Sequence, residues 1–144
     1  MLLYTLIIII ILYIITNYLI ATLAFNPQPL KTTYTVKDID YLYDNIAIKI
    51  IKKNSDNVIL FNHNNADDIG ICKNYCSWLS RFTDCSVILY DYIGYGLSYN
   101  GTLNEYNLLK SADIVYSFTI EKLNINPNNL YIMGKSLGTV PAIY

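Results

Sequence analysis

Gly134-Lys135-Ser136-Leu137-Gly138, entered through Asn129-Leu130-Tyr131-Ile132-Met133, is the stretch whose reading decides the fold. An apolar run of strand-like residues ends abruptly in G-x-S-x-G, and small or helix-compatible residues follow. This is the pattern of a nucleophile elbow, where a serine sits on a tight strand-to-helix turn. The glycines have a steric job there. The serine backbone is strained, and a side chain two positions to either side would collide with the neighbouring strand or helix. The helix that starts at the elbow would aim its amides at the spot where an acyl oxyanion forms. Taken alone, the five residues also fit a glycine-rich turn with an incidental serine.

Working outward, the preceding chain has the alternation an α/β fold requires. Ile46 to Ile51 reads as a strand, and Asn54-Ser55-Asp56-Asn57 as a turn. Val58-Ile59-Leu60-Phe61 and Val87-Ile88-Leu89-Tyr90 are short, fully apolar runs of the kind buried in a parallel sheet. Between them, Ile69 to Phe82 reads as a helix with Ile71, Tyr75, Trp78 and Leu79 along its apolar face. Thr102 and Glu105 have capping-box spacing and open a second helix, in which Leu109, Ala112, Tyr116, Ile120 and Leu123 recur at helical intervals. Strand, helix, strand, helix, strand and elbow predict an α/β fold with right-handed crossover helices and a mostly parallel sheet.

The first segment is of another kind. From Leu2 to Phe25 no residue is charged, which is long enough for a single transmembrane helix of roughly 20 residues. No Lys or Arg precedes the run, and its apolar core exceeds that of a signal peptide, so it reads as an uncleaved anchor. Thr22 and Ala24 are nevertheless small residues of the sort that precede a cleavage point. Lys31 and Lys37 follow the span and point to a cytoplasmic domain. Residues 2–25 are thus expected to be the anchor, 26–33, opened by Asn26-Pro27-Gln28-Pro29, a linker, and 34–144 the folded domain.

Composition narrows the function classes. A formal net charge of -1 with 15% charged residues excludes an electrostatic nucleic-acid binder. Cys72, Cys76 and Cys85 are an odd count without a disulfide framework, and one histidine in the chain gives zinc no second ligand pair. They read as core or surface thiols, and no cofactor or metal is implied. Asn100-Gly101-Thr102 is a glycosylation sequon, of consequence only in a lumen.

Three blocks now stand in order. They are Leu60-Phe61-Asn62-His63-Asn64-Asn65-Ala66-Asp67-Asp68, then Asp91-Tyr92-Ile93-Gly94-Tyr95-Gly96-Leu97-Ser98, then Gly134-Lys135-Ser136-Leu137-Gly138-Thr139. Together they resemble H-G-N-A, D-Y-R-G-Y-G-x-S and G-x-S-x-G of the alpha/beta-hydrolase superfamily, in particular its membrane-associated, depalmitoylase-like branch. The resemblance covers roughly Ile46 to Tyr144. It implies Ser136 as acyl-forming nucleophile, with the backbone amides of Leu137 and Asn65 as the two oxyanion donors. It gives His63 the task of shaping its loop, since the family's base follows the serine in chain order. Asp91 is expected to cap its loop. Two positions depart from the pattern: Asn64 stands where the family has glycine, and Ile93 where it has arginine.

The acid and base of a triad have no candidate after Ser136, and a serine without a base is a poor nucleophile. The expected domain is therefore a truncated hydrolase domain whose elbow strand is a bare sheet edge. Two functions follow. One is a membrane-anchored serine hydrolase for ester or thioester substrates, completed by missing C-terminal residues or a complementing chain. The other is a non-catalytic remnant or membrane interaction protein. A third reading takes the anchor as the protein's sole function.

Overall fold

The computed structural model describes residues 2–25, 31–98 and 100–144. The opening helix α1 (Leu2–Ala24) is long and apolar enough to cross a membrane by length and composition. Its described side chains are all exposed, so no protein core accounts for its hydrophobicity. The stretch Asn26-Pro27-Gln28-Pro29, expected to open the linker, lies outside the described residues.

Five strands follow: β1 (Tyr41–Tyr43), β2 (Ile46–Ile51), β3 (Val58–Asn62), β4 (Ser86–Tyr90) and β5 (Leu130–Gly134). Helix α2 (Ile69–Thr83) connects β3 to β4, α3 (Glu105–Ser117) lies between β4 and β5, and α4 (Thr139–Ile143) follows the elbow. The sheet order is β1-β2-β4-β3-β5. β4, β3 and β5 are parallel, as the apolar runs predict. The sheet as a whole is mixed, because β2 runs antiparallel to both β1 and β4. The turn that joins β1 to β2 is Asp44-Asn45, with φ of 47° and 63°. Two left-handed residues in succession give the twist of a tight hairpin, which Asp and Asn tolerate better than most.

Strand alternation divides the core in two. Ile48, Leu60, Ile88 and Tyr90 face α3 and pack on Leu108, Ala112 and Val115. Ala47, Ile59, Phe61, Val87 and Leu89 face α2 and pack on Ile69, Cys72, Cys76 and Leu79. The chain passes from β3 to β4 on one side and returns to β5 on the other. The order therefore reverses at β3, and a crevice opens at the carboxyl ends of β3 and β5, where ligands of such sheets bind.

Both helix faces differ from the expected ones. In α2 the buried line is Ile69, Cys72, Cys76, Leu79 and Ser80, while Ile71, Tyr75 and Trp78 are exposed. The aromatics draw the eye, but the two thiols fit closer to the sheet. Burial pushes both thiols up, Cys76 to about 12, so they are core residues and not thiolates. In α3 the cap is Asn104, whose side chain accepts from the Asn107 amide, and not Thr102. The buried line shifts accordingly to Leu108, Ser111, Ala112 and Val115. Tyr116 is exposed.

Among the described residues β5 pairs only with β3, and Tyr131 and Ile132 on it are exposed.

Candidate active site

The carboxyl ends of β3 and β5 each carry a turn, and the two turns touch. After β5 the chain reverses through Lys135 into a single tight turn over Ser136–Gly138 and then into α4. Ser136 has φ 51°, one of five described non-glycine residues in the left-handed region. For serine this conformation costs on the order of 1–2 kcal/mol. The serine is exposed, and its own carbonyl accepts from the Thr139 hydroxyl at 2.6 Å.

The flanking glycines are there for space. A Cβ on Gly134 would lie 2.6 Å from the Gly138 carbonyl carbon and 2.7 Å from Thr139 Cα. On Gly138 it would lie 2.6 Å from the His63 carbonyl oxygen and nearer still to that of Asn62. Gly138 is therefore where the elbow presses against the loop that follows β3.

Asn62 fastens the two turns from below. Its carbonyl accepts from the Lys135 amide at 3.0 Å, and its side-chain amide donates to the Met133 carbonyl at 3.1 Å. The Tyr90 hydroxyl donates to Asn62 Oδ1 at 2.5 Å. From the side, Asp67 accepts from Asn64 Nδ2 at 2.7 Å and pairs with Lys135 Nζ at 3.2 Å.

Asn64, which stands at the position of the family glycine, is not left-handed. Its side-chain oxygen accepts from the Ala66 amide at 2.6 Å, so the asparagine makes its own turn where a glycine would be bent. Ile93, the second departure, packs against the core beside α3, and its amide donates to Ser111 Oγ. It lies in an apolar contact, away from the elbow.

His63 is buried, with Nδ1 2.7 Å from the Asn64 carbonyl oxygen. A carbonyl can only accept, so Nδ1 carries the proton and Nε2 bears the lone pair. Nε2 lies 3.5 Å from Asp91 Oδ1. Burial lowers His63 to about 4 and raises Asp91 to about 8. The pair is accordingly neutral near pH 7. Asp91 does not cap its own loop as expected. Its carboxyl accepts from the Ile69 amide at the start of α2 at 2.9 Å and from the Tyr34 hydroxyl at 2.5 Å. The acid thus joins β4, α2 and the incoming chain. The described bonds give His63 a holding role at Asn64.

The middle block is wound tightly around this carboxyl. Gly96 has φ 47°, and a Cβ there would lie 2.6 Å from the Tyr34 hydroxyl and closer to Asp91. Gly94 has φ 98°, with Leu103 N 2.8 Å from where a Cβ would be. The turn points two buried tyrosines at the β3 loop. Tyr92 donates to the His63 carbonyl at 2.7 Å, and Tyr95 reaches Asn65 Oδ1 at 2.5 Å and the Asn65 carbonyl at 3.0 Å. Sequence reasoning gave these hydroxyls no role, because tyrosine is abundant throughout the chain. The spacing of Tyr92 and Tyr95 around Gly94 was the available signal.

No family model matches the chain. Human alpha/beta hydrolase domain-containing protein 17C is 37% identical over 86 residues, 59% of this chain and 26% of that protein. An alpha/beta hydrolase of Acanthamoeba polyphaga mimivirus is 36% identical over 81 residues, 56% of this chain and 31% of that protein. The chain thus spans about a third or less of these relatives. Among solved structures, an esterase/lipase from an uncultured bacterium superposes with a TM-score of 0.55 at 17% identity. That match covers 74% of this chain and 38% of the esterase, and it bears on fold alone.

Proposed function

The chain is a member of the alpha/beta-hydrolase superfamily, and from that premise we propose that it carries the nucleophile of a membrane-anchored serine hydrolase acting on ester or thioester bonds. The observation that carries the reading is the left-handed, exposed Ser136 on a turn whose glycines admit no side chain. A strained serine at the mouth of a sheet crevice is costly to keep as a mere turn residue. In this reading Ser136 Oγ attacks the acyl carbonyl, and the amides of Leu137 and Asn65 hold the oxyanion that forms. A base takes the Ser136 proton and passes it to the alcohol or thiol as its bond to the acyl carbon breaks. The acyl group remains on Ser136 until water, deprotonated by the same base, releases it as the acid.

The reaction needs a general base, and His63 is unsuited to it. Its Nδ1 proton is committed to Asn64, its Nε2 faces Asp91, and burial lowers it to about 4, which makes it a weak base. The reading therefore assigns base and acid to residues beyond these 144, in the same polypeptide or a complementing chain.

Membrane substrates suit the way the domain is entered. Thr33 donates to the Asp68 carboxylate through its amide at 2.8 Å and also through its hydroxyl, and Tyr34 reaches Asp91. The chain is thus pinned beside the β3 loop, and the stretch back to Ala24 cannot exceed about 30 Å. With α1 in a bilayer, Thr33 stays within that distance of the end of the helix, which keeps the domain near the lipid surface. Single-pass anchoring, with the domain on the cytoplasmic side, belongs to this proposal.

The second reading, a non-catalytic remnant or membrane interaction protein, draws on the same commitment of His63. Hydrolysis of an activated acyl ester by the purified chain separates the two. Turnover abolished by Ser136→Ala excludes the remnant. A chain as inert as Ser136→Ala, with and without membranes of its source cells, favours it.

A further inference from the structure

We propose that Tyr95 is a positioning residue of this site, aiming the Asn65 amide at the oxyanion; the inference rests on the hydrolase reading above. The donor in question is one half of the Asn64–Asn65 peptide unit. Its other half is the Asn64 carbonyl, and the two point in opposite directions from one rigid plane. His63 Nδ1 grips that carbonyl at 2.7 Å, which fixes one side of the plane. The next peptide unit is bonded back to Asn64 Oδ1 through the Ala66 amide at 2.6 Å, and Tyr95 holds Asn65 from the other side. Its one hydroxyl proton is shared between Asn65 Oδ1 at 2.5 Å and the Asn65 carbonyl at 3.0 Å.

The clamp is itself immobile. Tyr95 is 2% exposed, and its ring stands edge-on to His63 at 5.1 Å and to Tyr92 at 5.7 Å. Its amide donates to the Tyr92 carbonyl at 2.9 Å, and its carbonyl accepts from Ser98 at 2.7 Å. Ser98 Oγ in turn accepts from the Ala47 amide of β2, which anchors the turn to the sheet. The loop that carries Asn65 has no left-handed residue of its own to set its path. Beyond the bonds Asn64 makes within it, two phenols reach it from the turn after β4. A donor set in advance stabilises an oxyanion without reorganising, and one free to swing loses part of that benefit.

The test is Tyr95→Phe, which removes one oxygen and keeps the ring contacts. Protein in membranes from its source cells is labelled with a fluorophosphonate, and binding (Ki) is separated from phosphonylation (kinact). Losing an oxyanion donor outright costs about 10²–10³ in rate, and loosening one is expected to lower kinact by about tenfold. Ki should be unchanged. Amide hydrogen exchange of the detergent-extracted protein should quicken at residues 64–66 and not within α2. Ser80→Ala, which deletes a buried hydroxyl bonded to the Cys85 carbonyl, is the structural control. Unchanged exchange at residues 64–66, or parallel changes in kinact and Ki matching those of Ser80→Ala, would overturn the proposal. If the parent protein takes up no probe, the hydrolase reading fails, and positioning for catalysis fails with it. The exchange arm then still decides whether Tyr95 holds the loop.

Discussion

The two turns that meet at Gly138 are built on opposite principles. The elbow after β5 is shaped by its own backbone: a left-handed serine between glycines that have no room for a Cβ. The β3 loop from His63 to Asp68 has no left-handed residue; Asn64 bonds to Ala66 and Asp67 within it, and Tyr92 and Tyr95 hold it from outside. One turn carries its geometry in consecutive residues. The other takes it from polar side chains, two of them about 30 positions away. Local sterics are stiff and intolerant, whereas distributed hydrogen bonds fail one at a time and by small amounts.

The contrast can be broken hardest at Gly138. Gly138→Ala drives a methyl into the carbonyls of Asn62 and His63, both backbone, and should cost about 3 kcal/mol or more, read as loss of the cooperative melting transition. A well-folded alanine variant would show that the elbow is softer than its contacts require. On the loop side, Tyr92→Phe leaves one buried carbonyl without its donor and should cost about 1–3 kcal/mol in denaturant unfolding while the fold survives.

The pair beneath the loop gives a pH signature. Asp91 is raised by burial to about 8, so the folded state binds its proton more tightly than the unfolded chain. Its contribution is complete below the ordinary carboxylate range and is lost as pH rises toward and through 8. His63 is lowered to about 4, so its contribution grows from there to about 6.5 and then stays level. The two oppose each other in mild acid, and above pH 6.5 only Asp91 acts. Melting temperature should therefore fall between pH 6.5 and 8.5, and Asp91→Asn should flatten that slope.

The smallest effect sharpens the elbow. Ser136→Gly relieves a left-handed residue and Ser136→Ala does not, so the glycine variant should be the more stable by about 1 kcal/mol. Equal stability would mean that Ser136 stores no strain.

How much could be read from the sequence follows the same division. Gly134, Ser136 and Gly138 declare the elbow because steric requirements act over a few neighbours. The strands were legible from unbroken apolar runs, and α2 from its period. The face of α2 was misread because Tyr75 and Trp78 outrank Cys72 and Cys76 in hydrophobic bulk, although the smaller thiols fit the sheet. The antiparallel start was hidden in Asp44-Asn45, a hairpin signal in a chain rich in asparagine. Asn64 reads as a strained substitute for glycine, but its side chain makes an ordinary turn, a contact only coordinates reveal. The tyrosine clamps could not be assigned because a hydroxyl bond to a carbonyl some 30 residues away leaves no local pattern.

The central claim is that the strained turn presents a reactive nucleophile. The direct test is fluorophosphonate labelling of the protein in membranes from its source cells, followed by mass-spectrometric mapping of the adduct. The account predicts a phosphonyl group on Ser136 and none in Ser136→Ala. An unlabelled chain in membranes where other serine hydrolases take up the probe, or an adduct on a different residue, would contradict it.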